Sequence, residues 1–248
     1  MIEIRLENVT KYYSGGTALD RVSAVFPAGS FTAVIGPSGA GKSTLLRCVN
    51  GMDRADAGHV LAGGVDMASA RGRVLRAAQR KIGTIWQDFC LVEQSTALDN
   101  VLNGALAEVG FWRALFGLFG RGRTERAKAL LARVGLGGKE EQRAASLSGG
   151  EKQRCAIARA LMQGCEALLA DEPAASLDPV HAENVLSLLK RLQREEGATV
   201  IMNSHNVDQA RRYADFIVGL REGRVVFTGN PEELTPGTLK TIYGDEIA

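Results

Sequence analysis

The sequence predicts an α/β protein, a mostly parallel sheet covered by helices, and three observations carry that expectation. A near-continuous apolar run at residues 31–35 leads directly into a glycine-rich turn and then a helical stretch. Toward the C-terminus, strand-like and helix-like segments alternate, as they do where helical crossovers join parallel strands. Between these parts lies a long stretch whose apolar residues recur at helical spacing.

Taken in order, residues 2–9 (IEIRLENV) alternate apolar and polar side chains, as a half-buried strand does, and residues 18–26 read as a second strand. Residues 31–35 (FTAVI) suit a strand buried on both faces, residues 36–41 break the pattern, and residues 42–49 can be helical. Leu98, Val101, Leu102, Ala105, Leu106 and Val109 lie on one helical face. Residues 111–119 (FWRALFGLF) repeat that spacing with aromatics, and residues 124–134 make a third helical segment. Residues 167–170 (ALLA) form a short buried strand, residues 179–195 a helix with Pro179 at its start, and residues 198–203 (ATVIMN) another strand. A strand pair at 216–220 and 224–227 closes the pattern. The expectation is one domain over residues 1–248, with a helical insert at about residues 95–163 and neither repeat nor linker.

Composition narrows the function classes. A net charge of +2 is too near neutral to argue for nucleic acid. Cys48, Cys90, Cys155 and Cys165 show no CxxC pairing, and His59, His181 and His205 are dispersed, so neither a zinc cluster nor a disulfide framework is expected, and a reducing cytosol suits the chain. The N-terminus lacks the basic-then-apolar pattern of a signal peptide, and no run of about 18 apolar residues exists to span a bilayer. Val101 to Phe119 is the most apolar region, and Glu108 and Arg113 interrupt it. A role at a membrane therefore requires a partner.

Three motifs carry chemistry. Gly36, Pro37, Ser38, Gly39, Ala40, Gly41, Lys42, Ser43 and Thr44 match the phosphate-binding pattern GxxxxGK[ST] without a gap, between a strand and a helix. Its glycines let backbone N–H groups curl around phosphates at a positive helix N-terminus, with Lys42 neutralising charge and Ser43 a ligand for Mg²⁺. Asp171 and Glu172 stand at the C-terminal end of the ALLA strand, where open α/β sheets place ligands. Alternation along a strand would point them to opposite sides, Asp171 to the metal and Glu172, as general base or positioner, to an attacking water. Ser148 and Glu151 form an S-x-x-E capping box that should start a helix, and Gly149 and Gly150 leave its first amides uncovered as a second anion site. One chain thus carries a complete phosphate loop and a second phosphate cap, read either as a capped helix alone or as a cap serving the nucleotide of another copy.

LSGGEKQR (147–154) resembles the signature motif of the ATP-binding-cassette family, and further family motifs follow in order over nearly the whole chain. The resemblance implies a P-loop NTPase core with a mostly parallel sheet, an N-terminal antiparallel β subdomain and an inserted α-helical subdomain. Gln87, ending IGTIWQ, resembles the Q-loop glutamine that contacts Mg²⁺ or water and senses the permease; Ser176–Pro179 (SLDP, with Asp178) resembles the D-loop; His205 resembles the switch histidine at the γ-phosphate. Tyr13 resembles the aromatic that stacks on adenine, with Tyr12 the alternative. The family's working form is a head-to-tail dimer with ATP between the phosphate loop of one copy and Ser148 and Gly150 of the other.

A finer resemblance, to the ATP-binding subunit of bacterial phosphonate importers, rests on NVLNGAL (100–106) with FWR (111–113), on ARALMQ (158–163), on LADEPAASLDP (169–179) and on IYG (242–244). It implies transmembrane permease subunits, a periplasmic phosphonate-binding protein reached indirectly, and a place on the cytoplasmic face of the bacterial inner membrane. Glu151-Lys152 and the segment Asn203-Ser204 depart from the family pattern, which leaves phosphite open as cargo. An accessory cassette of a soluble phosphonate-degrading complex, or an importer or exporter ATPase for another cargo, shares the same motifs. Phe111, Trp112, Leu115, Phe116 and Phe119 are expected to pack within the helical lobe, any exposed fraction beside Gln87–Glu93 making a docking groove for permease helices.

Overall fold

In the computed structural model, which describes residues 1–110, 112–113 and 116–244, two sheets share the chain. The first is antiparallel, with strand order β2-β1-β4-β5: β1 (Ile4–Tyr13), β2 (Gly16–Phe26), β4 (Ala57–Ala62) and β5 (Val65–Asp66). The second has six strands in the order β10-β9-β3-β8-β7-β6: β3 (Phe31–Ile35), β6 (Ile82–Ile85), β7 (Ala167–Asp171), β8 (Thr199–Ser204), β9 (Phe216–Arg221) and β10 (Arg224–Gly229). Five of these run parallel and only β10 is antiparallel.

The buried strands divide their side chains between two cores. Phe31, Ala33 and Ile35 of β3, with Leu168 and Ala170 of β7, face one core, while Val34, Leu169 and Ile201 face the other. That is period-two alternation with both faces covered, which is why FTAVI and ALLA read as apolar runs. The first core is closed by α5 (Gly149–Met162) and α6 (Pro179–Glu196), the second by α1 (Lys42–Val49) and the antiparallel sheet.

The helical segments α3 (Ala97–Leu102), α4 (Arg121–Arg133) and α5 pack on one another. The expected long helix from Leu98 stops at Leu102 and tightens into a 3₁₀ stretch, Asn103–Glu108, on which Ala105 is buried and Leu106 is exposed. The expectation that the aromatic insert packs inward is corrected for Trp112 and Phe116, which are 69% and 68% exposed, whereas Phe119 is buried. Spacing alone marks an apolar stripe without saying whether another element covers it. Phe111 and Leu115 lie outside the described residues.

Residues 50–81 supply elements that local sequence pattern did not mark: β4, β5 and α2 (Gly72–Arg80). Only Ala78 of α2 is buried, and Leu75 packs against the core in part, so the apolar face of this helix is short. Past β8 come α7 (Val207–Tyr213) and, after β10, α8 (Pro236–Tyr243), each started by a side-chain cap, Asn206 and Thr235 respectively.

Candidate phosphate and metal site

Strand register brings the separate motifs to one edge of the sheet. Ile35 pairs with Ser204, and Asp171 pairs with Asn203, so the carboxyl ends of β3, β8 and β7 are level. Each end leads into a residue with chemistry to offer: Gly36 opens the phosphate loop after β3, His205 comes after β8, and Glu172 after β7. Ile85 of β6 pairs with Ala170, so Gln87, two residues beyond that strand, emerges at the same edge, exposed. Ligands in parallel α/β sheets sit at this edge because the crossover connections leave a crevice there.

The phosphate loop ends in a left-handed residue, Gly41 (φ 100°), that starts α1 without any side-chain cap. A Cβ on Gly41 would stand 2.5 Å from the carbonyl oxygen of Ala18, so only glycine fits there. The uncapped amides of α1 are therefore left for an anion, where the helix dipole favours it. Lys42 is buried and its Nζ donates to the carbonyls of Gly36 (2.8 Å) and Pro37 (3.0 Å), spanning the loop. Burial lowers its pKa below the ordinary lysine value, and the nearby carboxylates of Glu172 and Asp171 pull in the opposite direction. Ser38 and Gly39 are exposed at the tip, Pro37, Ser43 and Thr44 are half-buried, and Gly36 and Ala40 are buried.

Ser43 Oγ donates to Asp171 Oδ1 at 3.0 Å, joining the first turn of α1 to the end of β7. A hydroxyl beside a carboxylate is a hard-oxygen pair of the kind Mg²⁺ takes together with phosphate and water, so these residues fit that ion. Asp171 is buried and its Oδ1 also accepts from Asn203 Nδ2 at 2.7 Å. Glu172 does not continue the strand: it takes φ 48°, a left-handed conformation unusual for a non-glycine residue. Simple alternation therefore ends at Asp171, and a backbone bend aims Glu172, a form of strain that concentrates at functional positions. Its Oε2 lies 3.5 Å from Nδ1 of the exposed His205. Both line a cleft of about 260 Å³ with Asn203, Ser204, Ala174 and Leu177.

Tyr13 and Tyr12 part company. The Tyr13 hydroxyl donates to Asp53 and lies within hydrogen-bonding reach of Thr44 on α1, and burial together with Asp53 raises its pKa. The Tyr12 backbone N–H donates to Asp56 at 2.7 Å, and its ring is more exposed. Tyr13 is thus the aromatic beside the phosphate loop, with Lys11 Nζ 5.4 Å from its ring centroid.

The second helix start is built differently. Ser148 caps α5, its hydroxyl accepting from the Glu151 N–H while Glu151 Oε2 accepts from the Ser148 N–H at 2.9 Å, the expected capping box. Lys139 holds Glu151 and, with the Ser148 N–H, keeps its carboxyl below the usual range. Gly150 lies against His181, since a Cβ there would stand 2.7 Å from the imidazole Cδ2. Asp178 caps α6, accepting from the N–H groups of Val180 and His181 at 3.1 Å each, and Pro179 holds the first helical position. Ser148 is exposed and Gly149 half-buried, so this cap opens to the surface.

Two participants escaped the motif reading. Arg159 of α5 donates to the carbonyl of Phe89 at 2.9 Å and to that of Cys90, both left-handed residues just past Gln87. Asn203 joins β8 to Asp171. Neither sits in a spacing pattern; the departure of Asn203-Ser204 from the family pattern was a sign of the second.

Comparison with known proteins gives a consistent picture. A family model described as ABC transporter matches residues 19–175. A protein named phosphonates import ATP-binding protein PhnC 2, of Synechococcus sp. (strain JA-2-3B'a(2-13)), is 46% identical over 98% of this chain and 91% of its own length. The phosphonates import ATP-binding protein PhnC 1 of Rhodopseudomonas palustris (strain HaA2) is 47% identical over 98% of this chain and 87% of its own. Among solved structures, the dimeric MJ0796, a bacterial ABC transporter cassette, superposes with a TM-score of 0.81 at 33% identity, covering 92% of this chain and 98% of that one.

Proposed function

Because the chain belongs to the ABC transporter family and is one of its ATP-hydrolysing cassettes, we propose that it energises phosphonate uptake through a membrane permease. The observation that carries the reading is the pair of unlike helix starts in one chain, one uncapped beside Lys42 and one capped by Ser148 at the surface. A single nucleotide uses the first in one copy and the second in another, so the working unit is a dimer of this chain. Relatives named for phosphonate import, similar over almost the whole chain, support the cargo.

In this reading residues 1–248 form one nucleotide-binding domain whose helical subdomain, about residues 95–163, is inserted in the ATP-binding core. The backbone of residues 36–44 cradles the β- and γ-phosphates and Lys42 offsets their charge. Ser43, Asp171 and Gln87 hold Mg²⁺, which when bound neutralises phosphate charge. Glu172 orients the attacking water or takes its proton, and His205 holds Glu172 and reaches the γ-phosphate. Tyr13 stacks on adenine. Ser148, Gly149, Gly150 and Asp178 meet the nucleotide of the opposite copy. No described helix is long and apolar enough to cross a membrane. By similarity to importer ATP-binding subunits, the reading has the chain on the cytoplasmic face of the inner membrane, held by a permease that a periplasmic phosphonate-binding protein supplies. Exposed Phe116 offers apolar surface to such a partner.

Uptake of a labelled alkylphosphonate by cells carrying either the native chain or Glu172→Gln tests the cargo. Uptake lost in the variant, with phosphate uptake intact, is the expected result. Equal uptake in both would remove phosphonate import while leaving the ATPase in place.

A further inference from the structure

Asn203 breaks two local rules at once. Asparagine is depleted in strands, yet this one is fully buried in the middle of a parallel sheet, between Met202 and Ser204 on β8. Burying an amide without full hydrogen bonding is costly, and the Asn203 Oδ1 is buried with no protein partner. Local violations of this kind gather at functional sites. The place is specific: Asn203 stands directly opposite Asp171 in the β7–β8 ladder, and two residues ahead of His205.

The hydrogen bonds have a direction. Ser43 Oγ and Asn203 Nδ2 both donate to the same oxygen, Asp171 Oδ1, at 3.0 and 2.7 Å. The amide must present its nitrogen here, because the reverse orientation would set two oxygens against each other. Its Oδ1 is then fixed as an acceptor beside the metal-binding pair, ready for an O–H donor. The Ser43 hydroxyl can keep its proton on Asp171 while its lone pair faces a cation, so binding requires no exchange of these bonds. Asp171 is left with Oδ2 for the ion or its water.

We infer that Asn203 is a positioning residue of the metal site, its amide nitrogen locking the Asp171 carboxylate and its amide oxygen accepting from a water of the bound cation. The inference rests on the assignment of Asp171 to the metal. Through Asn203, the strand that leads into His205 is tied by a side-chain bond to the Asp171 carboxylate.

Valine and threonine share a shape that suits a strand and differ by one hydroxyl donor, which makes Asn203→Val and Asn203→Thr an informative pair. Mn²⁺ serves as the probe, titrated by electron paramagnetic resonance against the full chain with a non-hydrolysable ATP analogue. Analogue binding in excess chelator is measured in parallel. Asn203→Val is expected to weaken Mn²⁺ binding by about 10–100-fold, the usual cost of losing a partner behind a metal ligand, while chelator-state binding holds and Asn203→Thr recovers part of the loss. Native Mn²⁺ affinity in Asn203→Val would overturn the inference. So would an equal loss in both variants, or an equal loss without metal, since packing would then account for the effect. Asp171→Asn separates the two levels: native affinity in that variant removes the metal assignment itself, whereas weakened binding there with none in Asn203→Val removes only the role of Asn203.

Discussion

The starts of α1 and α5 are both places where a helix offers amides to an anion, and the chain equips them in opposite ways. At α1 no side chain caps the amides; a left-handed glycine, a buried lysine and a serine bonded to Asp171 surround them. At α5 a serine and a glutamate close a capping box, a glycine presses on His181, and the cap stays at the surface. The first start holds a buried lysine and a hydroxyl–carboxylate pair that fits a metal ion, the groups that nucleotide binding and chemistry call for. The second offers only oriented polar groups, so it can complete a site but not make one. In the proposed reading, that division is why a chain with its own phosphate loop has use for a second copy.

The comparison breaks most visibly at Glu172. Glu172→Gln is expected to lower steady-state ATP hydrolysis by about 10²–10⁴-fold while ATP binding holds, because only the α1 side carries the base. Hydrolysis near the native rate in a coupled phosphate assay would remove Glu172 from that role. Lys42→Ala comes next: losing a charge-assisted contact costs about 1.5–3 kcal/mol, or about 10–150-fold in ATP affinity by calorimetry, with the α5 cap untouched.

Ser148→Ala should act on the other side alone. Loss of an N-cap costs about 1 kcal/mol, read as a lower melting temperature and a higher ATP concentration for dimerisation, while monomer affinity for ATP stays native. The smallest effect is at the adenine. Tyr13→Ala should lose about 0.5–1.5 kcal/mol of nucleotide affinity, and Tyr12→Ala should lose none; the opposite pattern would exchange their roles.

The legibility of these two regions depends on how local their determinants are. GPSGAGKST and LSGGE are contiguous, so the loop, the capping box and the helix starts at Lys42 and Gly149 could be read from single windows. Pro179 marked the start of α6 in the same way. Features that depend on partners distant in sequence were not readable. The bond from Asn203 to Asp171 needs β8 beside β7, and Arg159 holds carbonyls about 70 positions away in the chain. The left-handed bend at Glu172 has no composition to announce it. Trp112 and Phe116 read as core because apolar spacing cannot tell a covered stripe from an open one, and α2 was silent because it buries almost nothing.

The most direct measurement of the central claim, that one nucleotide needs both kinds of helix start from two copies, is size-exclusion chromatography of slow-hydrolysing chains with ATP and Mg²⁺. Glu172→Gln should elute as a dimer with ATP and as a monomer without it. Adding Gly149→Asp puts a negative charge at the α5 start, where it favours the helix but repels a phosphate, so the double variant should bind ATP and remain a monomer. A double variant that dimerises as readily as Glu172→Gln alone would contradict the account.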